Sequence, residues 1–449
     1  MGKDCPRRKS IHSLLFISLV VAAAATILPM AYASAENESA APASAPEEVG
    51  MSSDNLVSLD EVLSGYIERQ EVAGLVAIIG RKDRIVYEKI LGMADIERNI
   101  EMRSDTLFRI TALTEVVLAV GVLMLYEDGL LELNDPVSQY LPHFGEMNVV
   151  VPKEDGSHAI LPAEKDVTIH NLLSHTAGMP LPAFSSQIYR DLYSESGLPE
   201  FITPYDGTLE DAVQMLSTVP LAAEPGTAWQ YGLSTLVLGS LIEVLSGVTL
   251  EQFLHTRILE PLEMNDTHAF LPAGQADRLA TIYGPSPAKP LARYDDEPNQ
   301  VGTLAFSTLE LWREGSDFFF ASYQLLSTAG DFSRFAQMLV QGGKIDGVRL
   351  ITEDSVALMT TNQIGSHTHP FSESGDKYGY SVGIRTSEDP IDAIEGIGSY
   401  GWGGILYTNF WSDPVEEMWV ILMSQRTPPH ANLKLRMDLR IIAYQSIIR

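Results

Sequence analysis

The chain has 449 residues, 45% of them apolar and 20% charged, which is enough to bury a substantial core and excludes disorder for most of its length. Its 30 Lys and Arg face 59 Asp and Glu, a formal net charge of −29, so the clustered basic surface that nucleic-acid phosphates require is not expected. A single cysteine, Cys5, excludes a disulfide framework, a cysteine-built metal site and thiol catalysis.

Lys3, Arg7, Arg8 and Lys9 precede a charge-free apolar stretch of 17 residues, Leu14 to Met30, which is followed by Ala31, Ala33 and Ala35. That is the order of a secretory signal, with cleavage expected after Ala33 or Ala35 and an exported, periplasmic or secreted, protein as the consequence. A retained anchor is the alternative, because 17 residues just reach across a bilayer core. Removing 1–35 takes away four basic residues, one acidic residue and the only cysteine, leaving a charge of −32 and no further membrane span expected.

Residues 36–51, rich in Ala, Ser, Pro and Glu, are expected to form a flexible leader. Apolar residues at helical spacing from Leu56 to Ile67 follow, with Ser53 or Asp54 as cap. Gly74 to Ile79 and Ile85 to Ile90 are β-rich runs joined by the charged turn Arg81 to Arg84, a hairpin pattern. Ile110 to Tyr126 is almost wholly apolar and too long for one strand, so a buried helix is expected there, with Glu115 as its one internal charge. Helical patterns recur at Leu209 to Leu216, Thr235 to Leu245 and Leu250 to Ile258. Beyond residue 300, Thr303 to Phe306, Gly379 to Arg385, Ile405 to Trp411 and Trp419 to Ser424 read as strands, and Leu433 to Ile448 as a closing helix. The order implies an α+β fold in which an antiparallel sheet is assembled from both chain ends, 52–130 and 301–449, around a mostly helical insertion at 131–300.

Three stretches carry a family resemblance. Thr106 to Glu115, with the apolar helix and Leu133-Asn134-Asp135-Pro136-Val137 behind it, resembles the nucleophile region of the class C β-lactamase, D,D-peptidase and esterase family. Pro225 to Tyr231 is similar to its tyrosine box, and Tyr400-Gly401-Trp402-Gly403-Gly404 to its third box, in the form of the esterase branch. His170 to Gly178 and Leu326 to Asp331 support the match. The resemblance implies a β-lactamase/transpeptidase-like fold over about residues 52–448, and a small ester, amide, peptide or cell-wall-like ligand is expected, with no metal or other cofactor.

It also implies S-x-x-K at the start of the buried helix, where the Ser attacks an acyl carbonyl and the Lys one turn later accepts its proton. Those positions here are Ala112 and Glu115, so both roles are absent together, and Leu233 replaces the Asn usual two residues after the tyrosine. Thr111 and Thr114 flank the helix start, but successive helix residues are turned about 100° apart and neither replaces residue 112. The other S-x-x-K spacings, Ser286 to Lys289 and Ser374 to Lys377, contain Pro287 and Gly375 and lie in loop-like sequence. The expectation is therefore a catalytically impaired member that still binds a ligand. Tyr231 stands at the family's general-base position, the Ala112 and Ile405 backbone N–H groups at an oxyanion hole, and Trp402, Gly403 and Gly404 along the cleft wall. Glu115 reads in two ways: as a proton-transfer group of raised pKa beside Tyr231, or as a structural carboxylate tied to a neighbouring donor. The active alternative is a hydrolase that uses Glu115 and Tyr231 or an unrecognised nucleophile. The pairs His170/His175 and His367/His369 lack the spacing of a helical zinc site.

Overall fold

The computed structural model describes residues 45–198, 205–294, 299–301, 304–306, 312, 318–371, 376–386, 396–428 and 433–448. The secretory signal expected at 1–35 lies outside them.

Helix α1, Ser53–Glu68, starts where the Ser52 side chain accepts from Asn55 N. It buries Leu56, Leu59, Leu63 and Tyr66, the spacing of one helix face. The hairpin follows as β1, Gly74–Arg81, and β2, Arg84–Asp95, and a short β3, Ile100–Glu101, extends it. The later strands are β4, Lys377–Tyr378; β5, Gly383–Ile384; β6, Tyr400–Gly403; β7, Thr408–Asp413; and β8, Met418–Met423. Together they make one eight-stranded sheet in the order β4-β5-β6-β7-β8-β1-β2-β3, every neighbouring pair antiparallel. The chain ends meet where β1 pairs β8, Ile78 opposite Ile421.

The central strands are apolar on both faces because both faces are covered. In β1, Leu75, Ala77 and Ile79 join Leu56, Leu59 and Leu63 and the closing helix residues Leu435 and Leu439 in one core. Val76 and Ile78 point the other way, into the larger core. β8 alternates likewise, with Trp419, Ile421 and Met423 in the larger core and Met418, Val420 and Leu422 in the smaller. Gly80 opposite Trp419 is required, since a Cβ there would lie 2.0 Å from the indole, whose Nε1–H donates to Ser333 Oγ at 2.8 Å.

Helix α2, Leu113–Glu127, is buried from Leu113 to Leu125, Glu115 included. It packs in the larger core with α3, Ile169–Leu173, α4, Ser234–Ser246, and α5, Ala329–Val340. The closing helix α6, Leu435–Gln445, lies beside α1.

Several expectations are corrected. Of the leader expected at 36–51, residues 36–44 lie outside the described residues, while Pro46–Val49 forms a 3-10 turn that buries Val49 and Met51 bridges Ile447. The strand expected at Gly379 to Arg385 is split by a turn in which Gly379 N donates to Val382 O and Ser381 takes φ +58. The strand expected from Ile405 begins at Thr408, because Gly404 N donates to Thr408 O at 2.7 Å and closes a turn over Ile405. Leu304–Phe306 does form a strand, but it pairs Asn299–Val301 in a separate ribbon, while Thr303 lies outside the described residues. The helical middle also contains an unexpected hairpin, Asn148–Pro152 with His158–Pro162. Among the described residues no single helix is long and apolar enough to cross a membrane.

Candidate active site

The site is built at the N-terminus of α2. Residue 111 enters the helix with φ +46, a left-handed conformation that a β-branched Thr rarely adopts, and its Oγ1 is buried without a partner. Ala112 follows as the N-cap residue, 5% exposed. The turn after β6 closes directly over this point: Thr408 Oγ1 donates to Ile110 O at 3.0 Å, and a Cβ on Gly404 would lie 2.1 Å from Thr111 Oγ1. Only glycine allows that approach. Neither the Ala112 nor the Ile405 backbone N–H donates a hydrogen bond among the described residues.

One turn into α2, Glu115 is fully buried. Its Oε2 lies 3.3 Å from His175 Nε2, and its Oε1 accepts from Thr235 Oγ1 at 3.4 Å. Thr235 is bonded in turn to Ser322. Burial pushes the carboxyl above the ordinary Glu range, and the His175 hydrogen bond and charge oppose that shift. His175 has no site role in the sequence reading, and its position comes from local chemistry. Thr168 and Asn171 form a capping box that starts α3; Thr176 N then donates to Asn171 O at 2.8 Å, which turns the chain back and places His175 at φ +54. Gln230 N donates to His175 O at 2.7 Å, so the same segment fixes the tyrosine box. The signal in the sequence was the intact run His170 to Gly178, legible as family support and not as a role.

Tyr231 lies against this pair, its ring centroid 4.8 Å from that of His175. Burial first, and then the Glu115 charge, drive its phenol well above the usual range. The hydroxyl comes within reach of Glu115, Tyr323 and the Trp402 indole but meets none of them at full hydrogen-bonding geometry. Glu115 bonds His175 and Thr235, and the Tyr231 expected beside it stands close to the same carboxyl.

Around Tyr231 the rings of Trp229, Phe371, Tyr378 and Trp402 close a box. Trp229 stacks on Tyr231 at 5.9 Å, Trp402 lies 5.7 Å from Tyr231, and Tyr378 lies 5.0 Å from Trp402. Buried, unpartnered polar atoms collect here: Trp229 Nε1, Tyr231 Oη, Tyr378 Oη, Trp402 Nε1 and both ring nitrogens of His369. Burial depresses the His369 imidazole to about 4. Gly403 sits where a Cβ would lie 2.5 Å from Asn409 Oδ1, so it serves strand packing. A hollow of about 390 Å³ is lined by Leu254, His255, His268, Phe270 and Leu325 among others, and the Leu325 backbone N donates to Thr114 Oγ1.

The Ser286 to Lys289 spacing does not pair a nucleophile with a base. Ser286 Oγ donates to Lys289 O in a turn, and Lys289 Nζ faces Glu97 at 3.8 Å. Ser374 lies outside the described residues. Among the described residues no group of three or more His, Cys, Asp or Glu is arranged to hold a metal.

Comparison with known proteins agrees with this architecture. The chain is 26% identical over 388 residues to Protein Rv1367c of Mycobacterium tuberculosis, covering 83% of this chain and 90% of that one. It is 32% identical over 237 residues to Esterase EstB of Burkholderia gladioli, 53% of this chain and 57% of the relative. The solved structure of EstCE1, a hydrolase with promiscuous acyltransferase activity, superposes with a TM-score of 0.74 at 22% identity, covering 87% of this chain and 99% of that one. Simvastatin synthase (LovD) of Aspergillus terreus superposes at 0.70 with 20% identity, covering 88% and 98%. The β-lactamase family model matches residues 59–445, and the chain belongs to that family.

Proposed function

We propose that this is an exported β-lactamase-family protein that does not form an acyl-serine and instead binds a small ester, amide or peptide ligand in the retained pocket. The observation that carries the reading is Ala112 at the start of the buried helix, without a nucleophilic atom, while neither its own backbone N–H nor that of Ile405 donates a hydrogen bond among the described residues. Those donors suit a carbonyl oxygen whether or not a nucleophile stands beside them. Ester ligands are favoured by the esterase among the relatives and by Trp402 in the third box. Export is supported by the order of charge, apolar stretch and small residues in 1–35. The test is incubation of the purified protein with a fluorescent penicillin. No covalent label is expected, and stoichiometric labelling within the pocket would overturn the reading.

A second reading has one observation in its favour, the buried carboxyl and imidazole pair of Glu115 and His175 at 3.3 Å. Such a pair can hold and move a proton beside a bound carbonyl or water. A screen of activated esters and amides decides it: turnover lost in Glu115→Gln and in Tyr231→Phe supports the second reading, and turnover indifferent to both removes these residues from any mechanism.

A further inference from the structure

We propose that the hollow lined by Leu325 and His268 is a second ligand site, which takes an uncharged monocyclic phenol with a short alkyl chain. It stands apart from the ligand reading at Ala112. The hollow holds about 390 Å³. An apolar cavity of about 150 Å³ is enough for benzene, so this one has room for a ring and a few further carbons.

Its walls are apolar, with Leu254, Leu259, Leu271 and Leu325 among the lining residues. The helix Leu250–Leu254 that supplies one wall runs on as a π-turn, His255–Leu259, in which Glu260 N donates to His255 O, five residues back, at 2.8 Å. The extra residue widens the turn, and such turns often mark functional sites. Another wall is held by backbone pairing: His268 N donates to Leu326 O at 2.9 Å, and Leu326 N to His268 O at 2.8 Å. Leu325 ties the hollow to the start of α2, since its N donates to Thr114 Oγ1 at 3.2 Å and its O accepts from Ile110 N at 3.0 Å.

The polar side chains of the lining select the ligand's one polar group. Glu251 and His255 are exposed, so water serves them. Thr267 Oγ1 is already bonded, to Ser327 Oγ at 2.8 Å and to Asp331 Oδ2 at 2.9 Å. His268 remains: its Nε2 is buried and meets no hydrogen-bond partner among the described residues. Burial holds this imidazole below the ordinary His range, which keeps it neutral, with one donor and one acceptor nitrogen. A hydroxyl both donates and accepts, so it suits a neutral ring in either tautomer. A carboxylate finds no cation to pair with at His268 and meets Glu251 along the same lining. A phenol adds a rigid ring that loses little freedom on entering an apolar hollow.

The experiment is calorimetric titration with 4-ethylphenol and with 4-ethyltoluene, in which a methyl replaces the hydroxyl. The phenol is expected to bind about three- to tenfold tighter, the worth of one hydrogen bond, and His268→Phe to abolish that difference. Leu271→Trp, which fills the hollow, should weaken both compounds at least about tenfold, and circular dichroism checks that each variant is folded. Amide exchange locates the occupant: 4-ethylphenol should slow exchange over residues 255–271 and at Ile110, the amide held by Leu325 O, and leave residues 229–231 unchanged. Equal affinity for the two compounds, a difference that survives His268→Phe, or protection centred on 229–231 overturns the inference. Binding of neither compound at millimolar concentration overturns it as well.

Discussion

Replacing Glu115 by Gln should stabilise the protein increasingly as pH rises above 4.5. Burial, the largest influence, holds the folded carboxyl above the ordinary 4.5, against the smaller pull of His175. Between 4.5 and that raised value the folded state keeps a proton that the unfolded state has released, so wild-type stability falls as pH rises through this interval. Below 4.5 both states are protonated, and the substitution exchanges one neutral polar group for another of similar shape. A difference of one bound proton changes stability by about 1.4 kcal/mol per pH unit. The advantage of Gln should therefore grow at about that slope and level off once the folded carboxyl ionises. Urea unfolding of both proteins from about pH 4 to about pH 8 measures it, repeated in a His175→Gln background so that imidazole titration cancels. A difference constant across this range, or a wild-type advantage that grows with pH, would refute the reasoning.

Three further substitutions probe the same neighbourhood. Gly404→Ala places a Cβ 2.1 Å from Thr111 Oγ1 and 2.4 Å from Thr408 Oγ1, and should lower stability by about 1–3 kcal/mol in urea unfolding. Tyr231→Phe removes a buried hydroxyl that meets no partner at full hydrogen-bonding geometry, so it should leave stability unchanged or raise it by up to about 1 kcal/mol; a loss of about 2 kcal/mol would show that it bonds Glu115, Tyr323 or Trp402. Ser333→Ala leaves the buried Trp419 Nε1–H without its acceptor and should cost about 1–3 kcal/mol.

The sheet was legible because its strands obey a local rule. β1, β2 and β8 are short β-branched or aromatic runs between turn residues, and the alternation in β1 assigns its two faces. The misread strands fail where one turn overrides composition. Ile405 belongs to an apolar run, yet the Gly404 to Thr408 hydrogen bond takes it out of the strand. The helix and the positions of Ala112, Glu115 and Trp402 followed from motif order. The Glu115 partner did not, because His175 is 60 residues away in sequence and its approach depends on the α3 cap and the turn behind it. The aromatic box is a still longer-range product: Trp229, Phe371 and Trp402 show no mutual spacing that a sequence pattern can register.

The central claim is that a competent pocket surrounds a missing nucleophile. The most direct test is intact-mass measurement after treatment with an alkyl fluorophosphonate, on the parent protein and on the double variant Ala112→Ser with Glu115→Lys. The account predicts no adduct on the parent and a single adduct on the variant, mapped to residue 112. An adduct on a pocket residue of the parent, or a folded variant that stays unlabelled, would contradict it.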